Sequence, residues 1–216
     1  MDTPNIIEKI KNIVKQKLEN AEAGHDWLHI ERVYNMAVRI STTEQNVDMQ
    51  VVEYASLLHD IADAKFYNGD EKIGPKMARE ILEQSGVPEY QIIHTVKIIE
   101  NMSFKGGHAF SDFGSKELDI VRDADRLDAI GAIGIARAFT YGGFKGRKLY
   151  DFDIHPDLKM SRDAYKNNNG PTINHFYEKL LLLKDKMNTK EGRRLAESRH
   201  AYMEEFLKQF LSEVKR

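Results

Sequence analysis

No cysteine occurs in the 216 residues. That excludes a disulfide framework, a thiolate metal site and a thiol nucleophile together. A charge excess of one sign is also missing: 32 Lys and Arg stand against 34 Asp and Glu, a formal −2. A general nucleic-acid binder carries a basic surplus, so no nucleic-acid partner is expected, although local basic patches stay open. No run approaches the ~18 apolar residues of a membrane span. The N-terminal stretch carries Glu8, Lys9, Lys11, Lys15 and Lys17 where a signal peptide would have its apolar region. A soluble, cytoplasmic protein with no membrane partner is the default expectation. Proline is scarce, at five residues, and strand-like alternation is rare.

What the chain does have is helical periodicity from end to end, and 41% hydrophobic residues to bury as a core. The fold class expected is all-α, one domain over 1–216. A first helix over 3–19 carries the stripe Ile6, Ile7, Ile10, Ile13, Val14 and Leu18. A second begins near Gly24-His25-Asp26, with Asp26 as its N-cap. Further helices are expected over 71–84, 88–100, 115–129, 130–139, 173–186 and 189–214. One long irregular segment, 141–171, interrupts them. A loop of that length inside a compact domain is usually functional or mobile.

The stretch 53–66 organises the rest. Val51, Tyr54, Ala55, Leu58 and Ala62 follow helical spacing, and the C-terminal end carries His59, Asp60 and, one turn on, Asp63. Continued as a helix, this places Asp63 on the face shared by both neighbours. A His-Asp dipeptide alone is commonly inert, so it gains weight only from matching groups elsewhere. The second helix supplies His25 and His29, one turn apart, without the acidic residue between them that marks a protease helix. A division of labour suits them, one as ligand and the other either supporting the ligands from behind or near substrate. The sixth helix supplies Asp123, Asp125 and Asp128. Asp125 and Asp128 share a face there. The bland reading is a solvated acidic face, but Val121, Ala124, Ile130 and Ile133 make the stretch apolar, and carboxylates at such an edge need partners.

His29 in a His-x-x-Arg-Val context, then His59-Asp60, then Asp125 in Asp-Ala-Asp-Arg-Leu-Asp-Ala resemble the spaced signature of the HD-domain phosphohydrolase superfamily. The agreement covers about 24–139, with 141–171 as the irregular loop and 172–214 as C-terminal helices. Ser-Leu-Leu-His-Asp-Ile-Ala-Asp and Asn-Met-Ser-Phe-Lys-Gly look like a small bacterial subgroup that includes nucleotide pyrophosphohydrolases. Carried over, the resemblance implies that His29, His59, Asp60 and Asp125 hold one divalent cation and that Asp63 is the catalytic acid-base group. The stringent-response hydrolases differ, with His-Asp-x-x-Glu-Asp. So do the cyclic-dinucleotide phosphodiesterases, which place Lys at the position of Asp63 and add histidines for a second metal. His94 and His108 lack those contexts, so a single metal is expected.

Two imidazoles and two carboxylates without thiolate suit Mn²⁺, Fe²⁺, Co²⁺ or Mg²⁺ and do not select among them. Mn²⁺ is the ion expected, with Ni²⁺ a further alternative. Such an ion polarises a phosphoryl oxygen and acidifies a bound water, whose proton Asp63 would accept. Cationic donors for the developing charge are Lys65, Arg126, Lys145, Arg147 and Lys148, with His25 beside the substrate. The resulting expectation is a phosphohydrolase acting on a small phosphate ester, in the first place a nucleoside or deoxynucleoside triphosphate cut to monophosphate and pyrophosphate. The alternatives are a 5′-nucleotidase, another phosphoester phosphatase, or a nucleotide-binding regulator without turnover. A mobile lid over 141–171, its cations on the distal phosphates, is a further expectation.

Overall fold

Four helices begin where a polar side chain, Asp26, Asp48, Ser115 or Thr189, accepts from one of the otherwise unpaired first N–H groups. The computed structural model describes residues 6–19, 26–62, 70, 72–102, 113–159 and 168–214. Among these every regular element is helical, as the all-α reading requires. The chain divides into two compact units, Met1–Ala124 and Asp125–Arg216.

In the first unit, α1 (Ile6–Lys17) buries Ile7, Ile10 and Val14, the core of the expected stripe. Helix α2 (Trp27–Ser41) opens on Asp26, whose carboxylate accepts the His29 N–H at 2.9 Å. Helix α3 (Met49–Leu58) opens on Asp48, which caps Gln50 and Val51. Val51, Val52 and every residue from Tyr54 to Leu58 are buried, so α3 has almost no polar face and is the central helix of this unit. It ends at Leu58, earlier than the apolar spacing through Ala62 indicates. His59 keeps helical angles as the cap, and Ile61 N–H then reaches the Leu58 carbonyl in a tight turn of 3.2 Å. Asp63, expected on the face shared with His59 and Asp60, lies outside the described residues. Helices α4 (Ile73–Gln84), closed by Gly86 at φ +80°, α5 (Glu89–Met102) and α6 (Lys116–Asp128) complete the set. The boundary between the units falls inside α6, so Asp125 continues a helix begun in the first.

In the second unit, α7 (Gly131–Phe144) runs past the expected end at 139 and absorbs the start of the segment read as irregular. Two glycines cost a helix about 1 kcal/mol each, yet Gly142 is required: a Cβ there would meet Thr172 Oγ1 at 2.1 Å. The stretch read as one helix over 173–186 is instead α8 (Asn174–Glu178) followed by two 3₁₀ turns, Leu180–Leu182 and Lys184–Lys186. Leu180 and Leu183 are both buried, and 3₁₀ winding stacks residues three apart directly over one another. Helix α9 (Lys190–Val214) opens on Thr189, whose hydroxyl accepts Gly192 N–H at 3.0 Å. Phe139, Phe176, Phe206 and Phe210 pack ring on ring in this unit. Phe206 is thus a core residue, whereas Tyr202 is 52% exposed.

Gly142→Ala places a methyl group on Thr172 Oγ1. Overpacking of about 1–3 kcal/mol opposes a helix-propensity gain of about 1 kcal/mol, so a net loss in urea denaturation is expected. Adding Thr172→Ala should recover part of it. A Gly142→Ala chain as stable as wild type would refute the contact.

Candidate metal centre

His29 sits in the first turn of α2, where the Asp26 cap fixes its backbone, and its side chain is buried. His59 caps the far end of α3 and is 9% exposed. Its Nδ1 lies 2.9 Å from the Ser56 carbonyl one turn back. A carbonyl only accepts, so Nδ1 carries the ring proton and Nε2 presents a lone pair. That lone pair faces His29 Nε2 across 3.3 Å, the two rings meeting edge to face at 64°. Asp60 follows directly, with Oδ2 at 3.6 Å from His29 Nε2 and 3.7 Å from His59 Nε2. Asp125, half-buried on α6, offers the third member of a group in which ligand atoms of His29, His59 and Asp125 all lie within 4.8 Å of one another.

The separations among His29, His59 and Asp60, 3.3, 3.6 and 3.7 Å, fall in the range of donors around one divalent cation. Donors about 2.1 Å from an ion lie about 3.0–3.4 Å apart when adjacent and about 4.2 Å apart when opposite. The donor chemistry fits too: imidazole lone pairs and carboxylate oxygens converge, and they need a cation between them or protons shared among them. The carbonyl that orients His59 is the outer hydrogen bond that ligating histidines usually make. No pattern in the sequence marks Ser56 for that role, because any residue supplies a carbonyl.

The other acidic residues of α6 separate as the helical spacing implies only in part. Asp123 is fully buried. Asp128 is also buried and is ion-paired to Arg137, so a guanidinium, not a metal, answers its charge. His94 stands apart, 3.1 Å from Ser115 Oγ and 3.5 Å from Glu117 Oε2, and joins no ligand group among the described residues. Of the expected cations, Arg126 donates to the Lys186 carbonyl. Lys145 lies over the rings of Tyr141 and Phe144, at 5.7 and 5.3 Å. Lys148 pairs with Asp151 at 2.8 Å on an exposed turn. Arg147 folds back over the Tyr141 ring and donates to the Asn168 carbonyl. His25, Asp63, Lys65 and His108 lie outside the described residues.

Comparison with known proteins agrees with this arrangement. The HD domain family model matches residues 27–130, the span from α2 through the end of α6 that carries all four expected ligands. YpgQ of Bacillus subtilis is 38% identical over 208 residues, covering 96% of this chain and 93% of that protein. A solved HD-superfamily hydrolase from Bacillus thuringiensis is 46% identical, with a TM-score of 0.74 over 96% of this chain and 95% of that one. The structure of B. subtilis YpgQ in complex with ADP is 35% identical, with a TM-score of 0.76 over 97% of this chain and 95% of that one. No helix among the described residues is long and apolar enough to cross a membrane. With the histidine pair, the neighbouring aspartates and these relatives together, the chain belongs to the HD-domain superfamily of metal-dependent phosphohydrolases.

Proposed function

We propose that this phosphohydrolase cleaves nucleoside or deoxynucleoside triphosphates to the monophosphate and pyrophosphate, using a single divalent cation. The observation that carries the reading is the convergence of His29 Nε2, His59 Nε2 and a carboxylate oxygen of Asp125, with Asp60 Oδ2 beside the histidine pair. Support for a nucleotide comes from the relative YpgQ, whose structure was solved with ADP.

His29, His59, Asp60 and Asp125 would hold the ion; Mn²⁺ is the one expected, although a nitrogen and oxygen ligand set suits Fe²⁺, Co²⁺ or Mg²⁺ equally. Bound there, a divalent cation supplies Lewis acidity towards a phosphoryl oxygen and towards water. Ser56 keeps His59 in the tautomer that leaves Nε2 unprotonated. Asp63 is assigned the general base: its carboxylate takes a proton from the attacking water as the new bond to the α-phosphorus forms and the bridging P–O bond breaks. The electron pair leaves with pyrophosphate. Positive side chains hold that leaving group, with Arg126, Lys145 and Arg147 from this chain's second unit, and His25 and Lys65 beside the sugar and phosphates.

The first test is a nucleotide panel with product identification. Triphosphates should yield pyrophosphate, EDTA should abolish release, and Mn²⁺ should restore it. Orthophosphate released from monophosphates would replace this reading with a 5′-nucleotidase, and binding without any turnover would replace it with a regulator.

Two variants separate ligand from base. Asp125→Asn should lower Mn²⁺ content and turnover together. Asp63→Asn should keep the metal while kcat falls by about 10²–10⁴. Metal lost and activity kept in Asp63→Asn would reverse its role.

A further inference from the structure

His29 extends from the least self-supporting part of its helix. The first N–H groups of an α-helix have no carbonyl a turn behind them. His29 is the third residue of α2, and the backbone ladder begins at Ile30, whose N–H meets the Asp26 carbonyl at 3.3 Å. The His29 N–H falls one residue short of that ladder. It is held instead by the Asp26 carboxylate, at 2.9 Å. Asp26 keeps extended angles, φ −81° and ψ 175°, the cap conformation that turns its side chain back over the first turn. Of the two bonds that close this end of α2, the one from the side chain is the shorter.

Packing holds the same turn from the other side. Trp27 lies against the core of the first unit, with Lys15 of α1 over its ring at 4.6 Å, and Ile30 is fully buried. Leu28 between them is exposed. Those anchors place α2 as a body, but neither one bonds the peptide of residue 29. The ring of that residue has little latitude, with Nε2 at 3.3 Å from His59 Nε2 and 3.6 Å from Asp60 Oδ2. Metal–ligand distances tolerate only about ±0.2 Å. An imidazole is a rigid arm, so a change in the backbone of the first turn carries Nε2 with it. His59 is fixed through its ring, by the Ser56 carbonyl. His29 is fixed through its backbone, by Asp26.

We propose that Asp26 is a positioning residue for the metal centre. By capping the His29 N–H it holds the first turn of α2 in the arrangement that brings Nε2 to His59 and Asp60, and so sets metal affinity as well as helix stability. The proposal rests on the reading of His29 as a ligand given above. The role needs an acceptor oxygen at the cap and not its charge, so Asn or Ser serves and Ala does not. The competing idea is that Trp27 and Ile30 suffice, and that the cap stabilises the helix alone.

Calorimetric titration of Mn²⁺ into the EDTA-treated full chain reads affinity without turnover. Asp26→Ala should lower it about 10-fold, the scale of losing an outer partner of a ligand. Asp26→Asn and Asp26→Ser should stay close to wild type. Asp26→Gly, tolerated at a cap but without a side-chain acceptor, should match Asp26→Ala and replaces it if that variant does not fold. Asp48→Ala is the matched control, because it removes the cap of α3 at the end away from His59, the 10 residues of the helix or about 15 Å off. It should loosen the fold and leave Mn²⁺ affinity unchanged. In urea denaturation, excess Mn²⁺ should stabilise wild type and Asp48→Ala by the same increment and Asp26→Ala by less. Wild-type affinity in Asp26→Ala and Asp26→Gly overturns the proposal. So does an equal loss in Asp48→Ala, or a loss in Asp26→Asn and Asp26→Ser as large as in Asp26→Ala. His29→Ala separates the two readings. Mn²⁺ bound as tightly by His29→Ala as by wild type removes the ligand and the proposal with it. Mn²⁺ lost in His29→Ala but kept in Asp26→Ala leaves the ligand standing and withdraws the positioning role alone.

Discussion

A neutral imidazole has one ring proton, and in His59 the Ser56 carbonyl fixes where it goes. The rest of the centre depends on that bond. With Nδ1 protonated, Nε2 is an acceptor aimed at His29 Nε2, and Asp60 adds another acceptor oxygen to the same small space. Such a set is unfavourable among neighbours that only accept, and favourable around a cation. The bond is available because α3 ends at Leu58, so His59 still has helical angles and its ring can turn back over the last turn. An α3 that is apolar on nearly every side anchors this end within the first unit.

Positive charge is distributed differently from negative charge. The arginines near α6 are used on backbone and carboxylate acceptors: Arg126 on the Lys186 carbonyl, Arg199 on the Leu127 carbonyl, Arg137 on Asp128. These contacts fasten the end of α6 to the 3₁₀ turns and to α9 within the second unit. A planar guanidinium with several donors suits that work better than an ammonium does.

Much of the fold was legible in the sequence, for reasons particular to each place. The opening of α2 reads directly, since Asp26 before an apolar stripe is a cap with a known partner. The end of α3 does not, because Ile61 and Ala62 continue the apolar spacing while the chain already turns. Leucines at 180–183 satisfy helical and 3₁₀ winding alike, so their pattern does not announce that the helix stops at Glu178. In the centre, helical spacing separates Asp123 from Asp125 but cannot say which faces the histidines. Asp128 meets its own guanidinium, which spacing along one helix does not reveal.

The chain has a single tryptophan, Trp27, the first residue of α2 and two before His29. Lys15 of α1 sits over its ring at 4.6 Å. All other aromatic rings are phenylalanine and tyrosine, and the phenylalanine cluster of Phe139, Phe176, Phe206 and Phe210 lies in the second unit. Intrinsic indole emission therefore watches one place: the junction of α1 with the helix that carries His29. It is blind to the second unit, whose loosening registers in far-ultraviolet dichroism from α7 and α9. The molecule thus carries a built-in optical label on the half that holds the histidine pair, and the two spectroscopies together can resolve which half gives way first.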